Sequence, residues 1–376
     1  MTQQARAEII ARYRKQYKRS GRREKNRILD VITDATGYSR KHVIHALNKD
    51  VDIPKKVTRQ RLSPYESIAE PLKKLWAASN LLCGKRLQPF IPDLLESLKQ
   101  HDEIQVTAEQ ESLLLSISAA TIDRLLAPAR KGLVPKGRST TKPGTLLKHK
   151  IPIRTFADWD DGRPGFLEID LVAHCGDNTR GEYINTLDMT DIATGWTVCA
   201  AFMGRSEKFC LRAIKEAMPY FPFPILGIDS DNGSEFINAH LRNYCMRDSI
   251  TFTRGRSNKK NDSCYVEQKN WDVVRKTLGY ARFDNYKQLG AIKRVHNLLS
   301  FYQNYFQPSQ KLVSKERIGA RVKKKYDTAQ TPCQRLLSRQ DVSEETKEAL
   351  RATRRGLNPA QLLQSIQSVI SELYSP

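Results

Sequence analysis

The chain has 376 residues, with 63 Lys and Arg against 41 Asp and Glu, which gives a formal net charge of +22. Hydrophobic residues make up 39% of it, enough for real cores in two or three domains. This excess of positive charge destabilises a compact fold unless a polyanion binds, so nucleic acid is the first candidate partner and a membrane surface the second. A solvated basic surface without a partner is the alternative explanation.

Two further features of the sequence narrow the class of protein. The sequence has no run of about 18 apolar residues and no signal peptide, which argues against membrane insertion. The seven cysteines are an odd number and include no C-x-x-C pair, which argues against a disulfide framework and a Cys-rich zinc site. We therefore expect a cytoplasmic protein.

Residues 1–50 are predicted to form a helix-turn-helix DNA-binding domain. Two short amphipathic helices flank a turn at residues 36–39, with Ser39 placed to cap the second helix over residues 40–47. Its pattern places Val43, Ile44 and Leu47 inward. The outward positions, predicted to contact DNA in the major groove, are Arg40, Lys41 and His45. An ordinary helical hairpin would give the same pattern.

Two segments follow before the next domain. Residues 65–130 are predicted to be a second helical DNA-binding module, in which Ser118 begins a further recognition-type helix. Residues 131–157 are predicted to be a flexible basic linker, because residues 124–157 contain no acid while Gly and Pro recur. Phosphate contacts are predicted there at Lys136, Arg138 and Lys142. The alternative interpretation of this segment is a solvated tether that binds no partner.

Residues 158–306 change pattern and predict an α/β domain. Strands are expected at residues 167–172, 183–189, 196–202, 225–230 and 250–253. Helices are expected at residues 206–218, 234–247, 262–278 and 285–305. Three meandering strands followed by alternating strands and helices predict a mixed five-stranded sheet with flanking helices.

Residues 307–376 are predicted to be a basic C-terminal region that ends in an amphipathic helix. Residues 311–325 are rich in Lys and Arg. Asn358 is expected to cap the last helix, with Pro359 in its first turn. An apolar stripe at the end of a chain either folds back on the core or meets a partner chain, and both alternatives are open.

Three acids stand out in this basic chain. Asp170 lies in the middle of an apolar strand, Asp231 ends another strand before a Gly, and Glu267 lies early in a helix. Buried carboxylates destabilise a fold unless cations or donors pair with them, and no Lys or Arg is near Asp170 in sequence. Hard oxygen ligands select Mg²⁺ or Mn²⁺, and two such ions about 4 Å apart can clamp a phosphate.

The segment around these acids resembles a known family. Asp231 opens a D-N-G-x-x-F segment, and 35 residues separate it from Glu267. This pattern resembles the catalytic core of retroviral integrases and, more closely, of bacterial insertion-sequence transposases of the DDE type. The resemblance covers about residues 150–305 and implies a ribonuclease-H-like core with Asp170, Asp231 and Glu267 as catalytic metal ligands. The His-His-Cys-Cys zinc module of retroviral integrases is absent, so no structural zinc is expected.

The resemblance also implies a reaction and partners. We expect a transposase or integrase that binds double-stranded DNA at an element's ends, uses two Mg²⁺ or Mn²⁺ ions per active site, and forms at least a dimer on DNA. The need for a helper ATPase is open. Asn232 and Gln268 are expected to orient DNA or ligands. Cations near the catalytic acids that are predicted to contact DNA are Arg254, Arg256, Lys259, Lys260, Lys269 and Arg275.

Both the ligand set and the function have alternatives. Glu168 and Asp229 lie two residues before Asp170 and Asp231, hence on the same strand faces, and either is a supporting group or the true ligand. Asp188 and Asp191 are expected to flank a hairpin turn in structural roles. The rival functions are a DNA-binding regulator without chemistry and another ribonuclease-H-like nuclease that cuts hybrids or junctions.

Overall fold

The computed structural model describes residues 1–48, 64–130, 162–231, 233, 235–255, 266, 269–318 and 321–375. The chain divides into two units, Met1–Ser63 and Pro64–Pro376. Seven of the predicted DNA contacts or ligands lie outside the described residues, as do Asn232 and Gln268. The seven are Lys136, Arg138, Lys142, Arg256, Lys259, Lys260 and Glu267.

The first unit contains three helices: α1 (Gln3–Arg19), α2 (Arg22–Thr36) and α3 (Arg40–Asn48). Helices α2 and α3 are those predicted, and Gly37 ends α2 at φ +69°, a left-handed conformation that glycine adopts without strain. Helix α1 was not predicted from the sequence, because charged residues surround its few buried ones, Ile10 and Tyr17. Ile44 is 36% exposed, so its predicted inward position is wrong.

The second unit is built on a five-stranded sheet. Its strands are β1 (Phe166–Ala173), β2 (Ile184–Asp191), β3 (Thr197–Met203), β4 (Gly227–Ser230) and β5 (Thr251–Arg254), in the order β3-β2-β1-β4-β5. Strands β1, β2 and β3 are antiparallel neighbours, whereas β4 runs parallel to β1 and β5 parallel to β4. This is the predicted mixed sheet, and its parallel register places the carboxyl end of β4 beside the middle of β1.

Helices follow the strands in the predicted alternation. They are α9 (Glu207–Ala217), α10 (Ala239–Arg247), α11, which joins a π-helical turn (Asn270–Arg275) to a short α-helix (Lys276–Leu278), and α12 (Tyr286–Phe306). Helix α10 begins five residues later than predicted, because Asn238 caps it by accepting from the Leu241 N–H at 2.9 Å. Phe236 and Ile237, just before that cap, are buried in the core.

Residues 64–130 form five helices: α4 (Ala69–Ala78), α5 (Gly84–Leu87), α6 (Ile91–Gln100), α7 (Ala108–Ser116) and α8 (Ala119–Arg130). The sequence-based boundary separates this module from the α/β domain, but both share one hydrophobic core. On α12, the Tyr302 hydroxyl donates to the Ala78 carbonyl at 2.7 Å. These helices are therefore part of the same unit as the sheet.

The C-terminal region contains a hairpin and three helices. The hairpin strands are β6 (Leu312–Ile318) and β7 (Arg321–Tyr326). Helices α13 (Pro332–Leu337), α14 (Glu344–Arg355) and α15 (Pro359–Tyr374) follow, and Asn358 caps α15 as predicted. Helix α15 packs along α12, and its Tyr374 hydroxyl donates to the Leu278 carbonyl at 2.6 Å. Of the two alternatives for its apolar stripe, the fold-back is the one observed.

Taken singly, none of the described helices is both long and apolar enough to cross a membrane. Helices α7 and α8 meet the length and composition criteria only as a pair, and they are bent by 106° relative to each other.

Candidate active site

Asp170 lies at the centre of the sheet, on the face of β1 opposite Ile169 and Leu171. In the antiparallel register it is directly across from Asp188 on β2. In the parallel register Ile169 pairs with Ser230 of β4, so the next residues along the two strands, Asp170 and Asp231, are neighbours. The parallel pairing of β1 and β4 therefore brings the two acids together, with Asp170 inside β1 and Asp231 directly after the end of β4.

Asp231 is held by the turn that follows β4. Its Oδ1 accepts from the N–H of Gly233 at 2.8 Å. A Cβ at position 233 would lie 2.8 Å from the carboxyl carbon of Glu235 and 2.9 Å from Asp231 Oδ1, so a larger residue there would displace these two carboxyl groups. The glycine of the D-N-G segment therefore leaves space for the two acids. Glu235 in turn accepts from Arg205 at 3.1 Å.

The two aspartates disfavour each other's ionisation. Burial raises the pKa of Asp170 from 3.8 to about 8, and the adjacent Asp231 adds to the rise, while the N–H of Leu171 and the amide of Asn270 oppose it. Burial also raises the pKa of Asp231, against the N–H of Gly233. Adjacent carboxylates of this kind are stabilised as anions by a hard divalent cation, so the pair fits Mg²⁺ or Mn²⁺.

The third predicted ligand, Glu267, lies outside the described residues, but its sequence neighbours are tied to β1. Glu168, which is 1% exposed, accepts from the N–H of Val266 at 3.1 Å. Asn270 donates from Nδ2 to Asp170 Oδ2 at 2.6 Å. These bonds connect the segment on either side of Glu267 to the strand that carries Asp170.

Glu168 and Asp229, the alternative metal ligands, accept hydrogen bonds from other groups of the protein. Asp229 is 1% exposed and accepts from the Thr253 hydroxyl at 2.5 Å, and Glu168 lies beside it in the parallel register. Each lies two residues before Asp170 or Asp231 in its strand and is almost fully buried. This arrangement favours supporting roles for Glu168 and Asp229.

Asp188 differs from the expectation that it flanks a hairpin turn, because it lies within β2 and is fully buried. Thr190 donates to one of its oxygens at 3.1 Å, and burial raises its pKa to about 7 against the influence of Lys269. Asp191 does sit at the turn, where it accepts from the N–H groups of Gly165 and Thr194, each at 2.8 Å.

Three described cations near the site were predicted to contact DNA. Lys269 and Arg254 are 8% and 7% exposed, so those two predictions are not borne out. Burial lowers the pKa of Lys269 to about 8, against the influence of Asp188, so this cation faces the interior beneath the site. Arg275 donates to the Ala173 carbonyl at 2.9 Å and to the Gly279 carbonyl at 3.3 Å, which fastens α11 to the end of β1.

In the first unit the predicted DNA contacts lie on the outer side of α3. Lys41 and His45 are exposed. Arg40 is exposed as well, and it pairs with Asp30 and donates to Asn26 at 3.0 Å. DNA binding by this helix remains a prediction.

Sequence reasoning missed Asn270, the amide that contacts Asp170. The signal was its position three residues after Glu267, since residues three apart share one side of a helix. A second signal, the π-helical turn that begins at Asn270, exists only in the structure, and such turns occur often at functional sites.

We expect Asn270→Ala and Asn270→Asp each to lower metal-dependent DNA cleavage by about 10- to 100-fold, because both remove the donor that orients Asp170. Asn270→Asp keeps the side-chain volume but adds a carboxyl beside Asp170, whereas Asn270→Ala adds no charge, so a loss shared by both variants is the loss of the donor. The measurement is cleavage rate against Mn²⁺ concentration. Wild-type rates and metal requirement in both variants would contradict this role.

Among the described residues, no group of three or more His, Cys, Asp or Glu is arranged to hold a metal ion. The ligand set proposed from the sequence therefore rests on Asp170 and Asp231 in the described structure, with Glu267 outside it.

Comparisons with known proteins show the family of this chain. A family model described as the integrase core domain matches residues 160–260. An uncharacterized protein of Sinorhizobium fredii (strain NBRC 101917 / NGR234), y4rM, is 39% identical over 332 residues, which cover 88% of this chain and 94% of that protein. The chain belongs to the same family as y4rM and is an integrase/transposase-type protein. Its sheet is accordingly a ribonuclease-H-like integrase core, as predicted.

Solved structures similar to this integrase-type chain include two retroviral integrase cores. The HTLV-2 integrase catalytic core domain, in complex with magnesium, is 15% identical with a TM-score of 0.30, covering 39% of this chain and 90% of that one. The catalytic core domain of BIV integrase is 16% identical with a TM-score of 0.30, covering 45% and 91%.

Proposed function

We propose that this protein binds the ends of a mobile DNA element, cleaves them to expose 3′-OH groups and joins those groups to target DNA. The observation that carries the proposal is the adjacent pair Asp170 and Asp231, where β4 ends beside β1 in an integrase-type sheet, each with a raised pKa. Such pairs are typical of sites that act on phosphodiesters with divalent metal.

In this proposal Asp170 and Asp231 together hold one Mg²⁺ or Mn²⁺ ion, and Asp170 and Glu267 hold a second. Bound ions at such a site lower the pKa of water and offset the charge that develops on a phosphate. Asn270 orients Asp170 through its 2.6 Å hydrogen bond. Glu168 holds the main chain next to Glu267 through the Val266 N–H.

The proposed chemistry is two phosphoryl transfers. In the first, a water oxygen forms a bond to phosphorus at the element's end, the phosphorus–O3′ bond breaks, and the leaving oxygen takes up a proton as a 3′-OH. In the second, that 3′-OH loses its proton and attacks a target phosphodiester, whose own phosphorus–O3′ bond breaks, and the leaving target oxygen takes up a proton as a 3′-OH. Neither step uses a covalent enzyme intermediate, so the enzyme is a polynucleotidyl transferase and endonuclease.

The partners follow from this chemistry. The substrates are double-stranded DNA at the element's terminal inverted repeats and at the target, and two ends must be held together, so we propose at least a dimer on DNA. Because the apolar stripe of α15 packs on α12 of its own chain, that stripe is not the proposed dimer contact. We place the reaction in the bacterial cytoplasm, at the nucleoid.

The test is to incubate the protein with supercoiled plasmid and Mn²⁺, beside its Glu267→Gln variant, and to count nicked and joined products. We expect metal-dependent nicking by the wild type that the variant loses while both bind DNA. Tight binding without nicking by either protein would favour a regulator that uses the DNA-binding helices alone. Preference for RNA–DNA hybrids over duplex ends would favour another nuclease of this fold.

Metal binding should depend on pH in a defined direction. The pKa of Asp170, raised to about 8, means that protonation stabilises the metal-free fold below about pH 4, a contribution lost as the pH rises through about 8. Mg²⁺ binds only the deprotonated carboxyl. We therefore expect Mg²⁺ to raise the Tm more at about pH 9 than at about pH 6. Equal increases at both values, or the same pH dependence in Asp170→Asn, would contradict this.

A further inference from the structure

The hairpin of β6 and β7 is an exposed basic ribbon. Over residues 312–326 the sequence contains six Lys or Arg and one acid. Its side chains are exposed on both faces in the part that the structure describes, from Lys315 to Arg317 and from Val322 to Tyr326. Two strands alone are marginally stable in water, so a ribbon with neither face covered depends on its anchor and on any partner.

The anchor of the ribbon is well defined. The main-chain carbonyl of Lys311 accepts from the Asp327 N–H at 2.9 Å, and the main-chain N–H of Lys311 donates to the Asp327 carboxylate at 2.6 Å. Its ammonium donates to the carbonyls of Ile192 and Ala193, in the turn between β2 and β3. The guanidinium of Arg335 forms an ion pair with the Asp327 carboxylate at 2.6 Å. These contacts fix the ribbon's base to the end of the sheet where β1 begins, away from the end where Asp231 follows β4.

The register places like charges opposite each other on one face. Lys315 pairs directly with Lys324, and Arg317, two residues along β6, lies on the same face opposite Val322. On the other face Glu316 pairs with Lys323, which offsets charge there. Directly opposed like charges destabilise a two-stranded sheet. Within the described residues, neither Lys315 nor Lys324 forms an ion pair that would relieve the repulsion.

We propose that the face formed by Lys315, Arg317 and Lys324 binds the phosphates of duplex DNA, at a site separate from the carboxylates. Phosphates bound beside these cations attract each of them and offset their mutual repulsion. Two strands about 4.8 Å apart also fit within a major groove about 12 Å wide. The inference rests on the proposed function, because the ligand is the DNA on which the active site acts. The ribbon binds that DNA at a position distant from the phosphate that reacts.

The test compares two double variants that remove the same charge from opposite faces. One is Lys315→Gln with Lys324→Gln, and the matched control is Lys323→Gln with Lys325→Gln. Binding of a fluorescein-labelled duplex of arbitrary sequence is followed by anisotropy as a function of KCl concentration. We expect the first pair to lower the salt slope by about two and to weaken binding at about 0.1 M salt by roughly 10- to 100-fold. The control should change both quantities less.

Misfolding does not explain such a loss, because removing opposed like charges should leave the Tm unchanged or slightly raised. Wild-type binding with no change in either double variant would overturn the ribbon site and leave the proposed function intact. Equal weakening by both pairs would overturn the assignment to one face. Preferential binding of the wild type to vesicles of anionic lipid would overturn DNA as the occupant. Failure of the wild type to bind any duplex would instead remove the proposed function.

Discussion

Asp170→Asn and Asp231→Asn should each lower DNA cleavage and joining by about 10³-fold or more, because each removes a charged oxygen ligand worth several kcal/mol in the transition state. DNA binding should be largely retained. The measurement is the rate of plasmid nicking and of strand joining with Mg²⁺ or Mn²⁺, together with the affinity for duplex DNA.

These two substitutions should not unfold the protein. Burial already favours the neutral form of both carboxyls, and Asn has nearly the same shape without the charge, so the metal-free variants should still fold. Asp248→Asn is a matched control, since Asp248 is exposed at the end of α10. Full activity in Asp170→Asn or Asp231→Asn would remove that residue from the site.

Glu168→Leu should lower cleavage by about 10- to 100-fold, because the main chain next to Glu267 loses its acceptor on β1. Glu168→Gln keeps an oxygen that can accept from the Val266 N–H, so most of the activity should remain. The measurement is cleavage rate against metal concentration, with thermal unfolding of the metal-free proteins as the check on folding.

This pair of variants also separates the two roles considered for Glu168. A positioning residue is rescued by Gln, whereas a metal ligand is not, because the amide lacks the charge that binds the cation. Activity as low in Glu168→Gln as in Asp170→Asn would make Glu168 a ligand and overturn the positioning role. Unchanged activity in Glu168→Leu would remove Glu168 from either role.

Much of the candidate site was predictable because its signals are local. The alternation of β1 placed Glu168 and Asp170 on one face, and the D-N-G segment placed Asp231 at the end of a strand. The parallel pairing of β1 and β4 then brings the two aspartates together. The domain boundaries, the role of Glu267 and the DNA contacts on α3 remain predictions.

The errors concern side chains whose surroundings come from distant parts of the chain. Lys269 and Arg254 were predicted to contact DNA because they are cations close in sequence to Glu267, yet both are buried in the fold. Asn270 was overlooked as a contact of Asp170, from which 99 residues separate it in sequence. Residues 65–130 were predicted to be a second helical module, and nothing in the sequence indicated that Tyr302 and Gln307 bond to the main chain at Ala78 and Ser79.

The sequence by itself determined the features that short-range chemistry controls: the turn at Gly37, the caps at Ser39 and Asn358, the strand periodicity and the acidic segment at Asp231. Only the tertiary structure decided which cations are buried, which amide orients Asp170 and where the last helix packs. The physical reason is that caps and periodicity act within a few residues, whereas burial and hydrogen bonding across the sheet depend on contacts between segments far apart in the chain.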